Sequence, residues 1–159
     1  MEALEEHLPV DEIAARCRGA SVVVVGLVRF GAAEVARLAD VGLLVRAGIG
    51  YDVIDVEAAT RAGIWVANVP DYCADEVADH ALMLLLACWR RLDQHANTWR
   101  QNRKWIIYEQ LAPVYRPSSK TLGIVGMGRI GWRVAQRAAP FGWRILGHDP
   151  VLPDEEVRR

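Results

Sequence analysis

The chain has 159 residues, 52% hydrophobic and 25% charged, and its 19 Lys+Arg against 20 Asp+Glu give a formal net charge of -1. These values are those of an ordinary globular protein, which excludes a disordered chain and leaves no basic excess for neutralising nucleic-acid phosphates. The most apolar run, 81–89, is far shorter than the ~20 residues of a membrane span, the acidic start Met1-Glu-Ala-Leu-Glu-Glu6 lacks the apolar core of a secretory signal, and Cys17, Cys73 and Cys88 form no Cys-x-x-Cys pair, which reads as a reduced cytoplasmic protein without a disulfide framework or metal site.

Ser21-Val-Val-Val-Val-Gly26 is a β-branched run stopped by glycine, and it reads as a strand buried on both faces. Val35 and Leu38, at helical spacing, predict a short helix over 31–40. A second strand, 41–45, runs into Arg46-Ala-Gly-Ile-Gly50. Asp55 is placed to cap a helix over 55–61 with Ala58 and Ala59 inside it, and 63–67 is a third strand closed by Asn68-Val-Pro70. Strands alternating with helices, with Gly or Pro at the joins, predict an α/β fold with a parallel sheet.

The longest helical segment covers 74–91, with Ala78, Leu82, Leu85, Leu86 and Trp89 recurring at steps of three and four. A polar, partly basic helix follows over 93–105, carrying Trp99 and Trp105, and then Pro113, Pro117, Ser118 and Ser119 mark a loop. Thr121–Val125 is a strand, and Gly126-Met-Gly128-Arg-Ile-Gly131 follows it directly. A helix is predicted over 132–141, with Val134, Ala135 and Ala138 on one face and Pro140 terminating it. The last predicted strand, 144–148, ends at Asp149.

A bare Gly-x-Gly-x-x-Gly is weak evidence, but here it follows a strand, opens a helix, and has an acidic residue at the end of the next strand. Gly126 permits the tight turn, Gly128 lets a pyrophosphate approach the backbone, and Gly131 allows the helix to pack on the strand. The helix N-terminus offers N–H groups and a positive dipole end to phosphates. Asp149 would accept hydrogen bonds from adenosine ribose hydroxyls and repel a 2′-phosphate, so NAD is expected over NADP.

The loop from Ala47 to Asp52 has two glycines at the C-terminal end of a parallel strand, a position suited to holding a carboxylate on backbone N–H groups, although spacing alone favours a plain strand-to-helix turn. Asp79 and His80 look like an acid–base pair, yet adjacent helical residues point about 100° apart, so His80 reads as a surface or interface residue. Cys73 precedes a helix but has no positioned base. Trp99, Trp105, Trp132 and Trp143 read as packing residues, since no basic groove accompanies them.

Taken together, Arg46-Ala-Gly-Ile-Gly-Tyr-Asp-Val-Ile-Asp55, Ala58-Ala-Thr60, Gly63-Ile-x-Val-x-Asn-Val-Pro-Asp-Tyr72, Glu76-Val-Ala-Asp-His-Ala81, the 121–131 segment and His148-Asp-Pro150 resemble the D-isomer-specific 2-hydroxyacid dehydrogenases, closest to their phosphoglycerate dehydrogenase and C-terminal-binding-protein-like branch. The resemblance implies a flavodoxin-like parallel-sheet substrate domain followed by the first βαβ unit of a Rossmann domain, divided here as 1–73 and 74–159. It places Ile49 and Gly50 in the loop that binds the substrate carboxylate, with Ile49 also near the nicotinamide. Gly126, Met127, Gly128, Arg129, Ile130 and Gly131 fall at the pyrophosphate, and Asp149 at the ribose. The implied chemistry is hydride transfer between NAD and a small 2-hydroxy or 2-oxo acid in a cytoplasmic homodimer. The family's catalytic arginine, glutamate and histidine map beyond residue 159, so no residue here is assigned to catalysis and the 159-residue chain alone is expected to be inactive. The segment Met1–Arg18 is short for the family's first strand and helix. A non-enzymatic NAD-responsive corepressor-like protein and a truncated product without function remain the alternatives.

Overall fold

The computed structural model describes residues 9–103 and 113–157. The chain divides into two compact units, Met1–Tyr72 and Cys73–Arg159.

The first unit is built on three parallel strands in spatial order: β1 (Val22–Val25), β2 (Leu43–Arg46) and β3 (Trp65–Ala67). Val23, Leu44 and Val66 lie side by side in register, as do Val22, Leu43 and Trp65. Because side chains alternate across a strand, the first row faces inward and the second outward. The inward row joins Val25, Phe30, Val35, Leu38, Ile54, Ala58 and Ala59 in one core. That core is closed by α1 (Val10–Arg16), α2 (Ala32–Val35) and α3 (Val56–Arg61). The cap expected at α3 is present: the Asp55 carboxylate accepts the Ala58 N–H at 2.8 Å.

The burial of both faces expected for 21–26 is not what the structure shows. Val24 is 67% exposed and Trp65 78% exposed, because the helices of this unit cover only the inward face. The helix α1, in a stretch too short to suggest a strand and helix, buries only Ile13, with Cys17 buried just past its end, amid Asp11, Glu12 and Arg16. Burial of Cys17 holds its thiol above the usual range. The helix expected over 31–40 is regular for a single turn, after which Arg37 and Leu38 donate to carbonyls three residues back.

In the second unit, β4 (Thr121–Val125) and β5 (Arg144–His148) pair in parallel and are joined by α6 (Arg129–Ala138). The helix starts three residues earlier than the predicted 132, since Gly128 is its N-cap and Trp132 N–H already closes an intrahelical bond to the Gly128 carbonyl at 3.0 Å. Pro140 falls in a following 3-10 turn, as its missing N–H requires. The long helix α4 (Ala74–Trp89) packs against α6. Ala74, Ala78, Ala135 and Ala138 are all buried, so small side chains bring the two backbones close. At the rim of that contact Asp75 accepts from Arg133 at 3.1 Å and from Arg137 at 2.7 Å, and Asp79 accepts from Arg137.

Trp143 is buried and meets Trp89 edge-on at 5.5 Å, whereas Trp99 is exposed. Trp132 is half-buried, and Trp105 lies outside the described residues. Trp99 sits on α5 (Leu92–Asn102), which buries none of its residues and is flanked by Arg91 and Arg103, both with left-handed backbone at φ 55° and 52°. A last turn of helix, α7 (Asp154–Val157), follows β5 and has no counterpart in the sequence reading.

Candidate functional site

The C-terminal end of β4 turns sharply at Gly126, whose φ of 91° lies in the left-handed region that favours glycine. Its N–H donates to the His148 carbonyl at 2.7 Å, which ties the turn to the end of β5. A Cβ on Gly131 would stand 1.8 Å from the Gly126 carbonyl oxygen, so the helix can lie this close to the strand only with no side chain there. Gly128 is the converse case: nothing lies within 4 Å of where its Cβ would be. No side chain caps the first turn of α6, where Arg129 is exposed and Ile130 half-buried.

Asp149 faces this turn. Its Oδ2 accepts the Met127 N–H at 2.8 Å, and its Oδ1 accepts Val151 and Leu152 N–H at 2.9 and 3.0 Å. The bonds from Val151, then Leu152 and Met127, hold its carboxyl below the usual carboxylate range. A carboxylate offers about four acceptor positions, so one remains at Oδ2 for a further donor. An open approach at Gly128, an uncapped helix start and an ionised acid beside them fit the pyrophosphate and ribose of a dinucleotide. The structure thus brings Gly126–Gly131 and Asp149 together.

Ile49 and Gly50 lie in the first unit, in the loop after β2. The Asn68 amide Nδ2 donates to the Ile49 carbonyl at 2.8 Å, and Val69 N–H donates to the Gly48 carbonyl at 3.1 Å. Arg46 folds back beneath the loop, donating from Nη1 to the Ala47 carbonyl at 2.8 Å. A Cβ on Gly48 would stand 2.8 Å from that guanidinium, the far end of a flexible side chain that would shift to admit it. Neither Asn68 nor Arg46 stands out from sequence spacing; the only signal is that Asn68 ends a strand opposite a glycine-bearing loop. Asp79 and His80 do not pair, since Asp79 is taken by Arg137 on another helix. Among the described residues no three His, Cys, Asp or Glu side chains converge as a metal site, and no described helix is long and apolar enough to cross a membrane.

A parallel three-stranded α/β unit, together with a β-glycine turn-α-β unit that ends on an acid, defines the class: an α/β protein with substrate-domain and partial Rossmann architecture. The chain belongs to the D-isomer specific 2-hydroxyacid dehydrogenase family, whose catalytic-domain model matches residues 2–143. It is 34% identical over 158 residues to the hydroxypyruvate reductase of Thermotoga maritima, covering 99% of this chain and 51% of that protein. A crystal structure of a Thermus thermophilus protein superposes with a TM-score of 0.82 at 33% identity, covering 93% of this chain and 48% of that one. The D-lactate dehydrogenase of Aquifex aeolicus, complexed with NAD and lactic acid, superposes with a TM-score of 0.79 at 26% identity, covering 94% and 43%. The chain therefore spans about half the length of these relatives.

Proposed function

We propose that this chain supplies the substrate-carboxylate loop and the adenosine–pyrophosphate seat of an NAD-dependent oxidoreductase acting between a 2-hydroxy and a 2-oxo acid. The observation that carries the reading is the joint placement of Gly126, Gly128, Gly131 and the ionised Asp149 at one turn. Bound NAD supplies the hydride chemistry. Gly128 and the first turn of α6, with Met127, Arg129 and Ile130, seat the pyrophosphate, and Asp149 accepts a ribose hydroxyl and repels a 2′-phosphate. In the first unit, the backbone of Ile49 and Gly50, held by Asn68, orients the substrate carboxylate. The substrate part is 1–73 and the cofactor part 74–159; the working protein is a cytoplasmic homodimer. The family resemblance assigns the hydride-step arginine, glutamate and histidine to no residue of this chain.

The test is spectrophotometric. The 159-residue chain is expected to give no NADH oxidation above buffer with hydroxypyruvate or glyoxylate. Turnover that Gly128→Trp abolishes would sink this division of labour. Titration should also find NAD bound more tightly than NADP; the reverse order would mean Asp149 does not select the cofactor.

A further inference from the structure

Among the described residues, three hydrogen bonds run to or from the peptides of Gly126, Met127 and Gly128, and two of them are backbone bonds: Gly126 N–H to the His148 carbonyl and Trp132 N–H to the Gly128 carbonyl. The third depends on one side chain, with Met127 N–H donating to Asp149 Oδ2 at 2.8 Å. The other oxygen of the same carboxylate is pinned by Val151 and Leu152 N–H, so the group cannot swing away from Met127 without breaking those bonds. Met127 is itself buried, 6% exposed, which further anchors the same peptide.

We infer that Asp149 is a positioning residue for the anion-binding turn, a role separate from contact with ribose. It fixes the Met127 peptide, so that Gly128 and the first turn of α6 take one arrangement before a ligand arrives. A turn already ordered loses less conformational freedom on binding. Affinity for a diphosphate at this turn therefore depends on Asp149 even when the ligand carries no ribose hydroxyl. Side-chain length and chemistry both matter. Asn keeps one acceptor oxygen but turns an NH2 donor toward one set of N–H groups, and so preserves only part of the arrangement.

This role presupposes the nucleotide site proposed above, and two probes separate them. ADP and 2′,3′-dideoxyadenosine 5′-diphosphate share the diphosphate and differ only in the hydroxyls. Both are titrated against the unmodified 159-residue chain, D149N and D149A, with near-UV circular dichroism of the tryptophans verifying the fold; if D149A loses that signal, D149N carries the comparison. D149A is expected to weaken the dideoxy compound roughly tenfold, the scale of one hydrogen bond to a charged group, with D149N intermediate. The Met127 amide should exchange more slowly in the unmodified chain than in D149A, and its chemical shift should follow carboxylate ionisation in the unmodified chain and not in D149A. Unchanged dideoxy affinity with weakened ADP overturns the positioning role and leaves a ribose contact. An unchanged Met127 amide overturns it as well. If the unmodified chain binds neither probe, the nucleotide site itself falls, and the positioning role with it.

Discussion

Two glycines three residues apart are required for opposite reasons. At Gly131 an added Cβ meets the Gly126 carbonyl at 1.8 Å, backbone against backbone, whereas at Gly128 it meets nothing within 4 Å. Gly131→Ala should therefore lower the melting temperature of the second unit, with a cost at or above the ~1–3 kcal/mol of ordinary overpacking. Gly128→Ala should leave the melt unchanged and weaken ADP, because its methyl group fills the approach to the backbone. Equal melting effects of the two changes would contradict the geometry. In the first unit, the Asn68 amide donates to the Ile49 carbonyl. Asn68→Ala should cost about 1 kcal/mol of stability, and Asn68→Asp more, since it sets an acceptor against an acceptor. On the proposed function, either change made in a protein that carries this chain and turns over a 2-oxo acid should raise the KM for that acid while leaving the NAD affinity alone; a matched rise in both constants would remove Asn68 from the support of the Ile49–Gly50 loop.

Elements in the second unit are joined by charges as well as by packing. Arg137, then Arg133, hold the Asp75 carboxyl below its usual range, and Asp75 with Asp79 raises Arg137 in turn. Asp149 is lowered by its backbone donors. A carboxylate with a depressed folded-state pKa stabilises the fold above its unfolded pKa, near ~4, and that stability disappears as pH falls through the lower folded value. Acid unfolding followed by Trp143 fluorescence should therefore set in below about pH 4. The Asp149→Asn and Asp75→Asn variants should each give a flatter acid limb. Acid limbs identical to that of the unmodified chain would show that neither carboxylate is linked to folding. The energy in the Asp75 network is modest, because exposed ion pairs are screened by water and salt; the buried alanines of α4 and α6 carry that contact.

On the scale of the whole molecule, each unit leaves apolar sheet surface open among its described residues. Parallel sheets are ordinarily covered on both faces, yet Val24 and Trp65 stand out from the first sheet, and Val125, 85% exposed, from the second. The second sheet has two strands, the first three, and short strand pairs are marginal in water. Ordering the ~30 residues of the β4–α6–β5 unit costs roughly 1–2 kcal/mol each in backbone entropy, against burial on one face only. Amides of Ile124, Val125, Ile145 and Leu146 should therefore exchange with solvent much faster than those of Val23 to Val25. Equal, strong protection of both sets in a monomeric sample would show that the two-stranded unit is stable on its own.

Local backbone demands were legible in the sequence because they are written in residues only a few positions apart. The β-branched runs marked β1 and β4, Asp55 marked its helix cap, and Gly126, Gly128 and Gly131 marked a turn needing a left-handed residue, an open approach and a vanished Cβ. Tertiary structure alone decided the rest. Whether the outward face of 21–26 is covered depends on which helices are available to pack on it, and α1 rests on two apolar residues that spacing cannot tell from noise. Trp143 is buried against Trp89, far from it in sequence, while Trp99 is exposed on α5. The Asp149–Met127 and Asn68–Ile49 bonds span 22 and 19 residues. A hydrogen bond of that reach depends on where parallel strands set their C-terminal ends, which is a property of the assembled sheet and of no local run of residues.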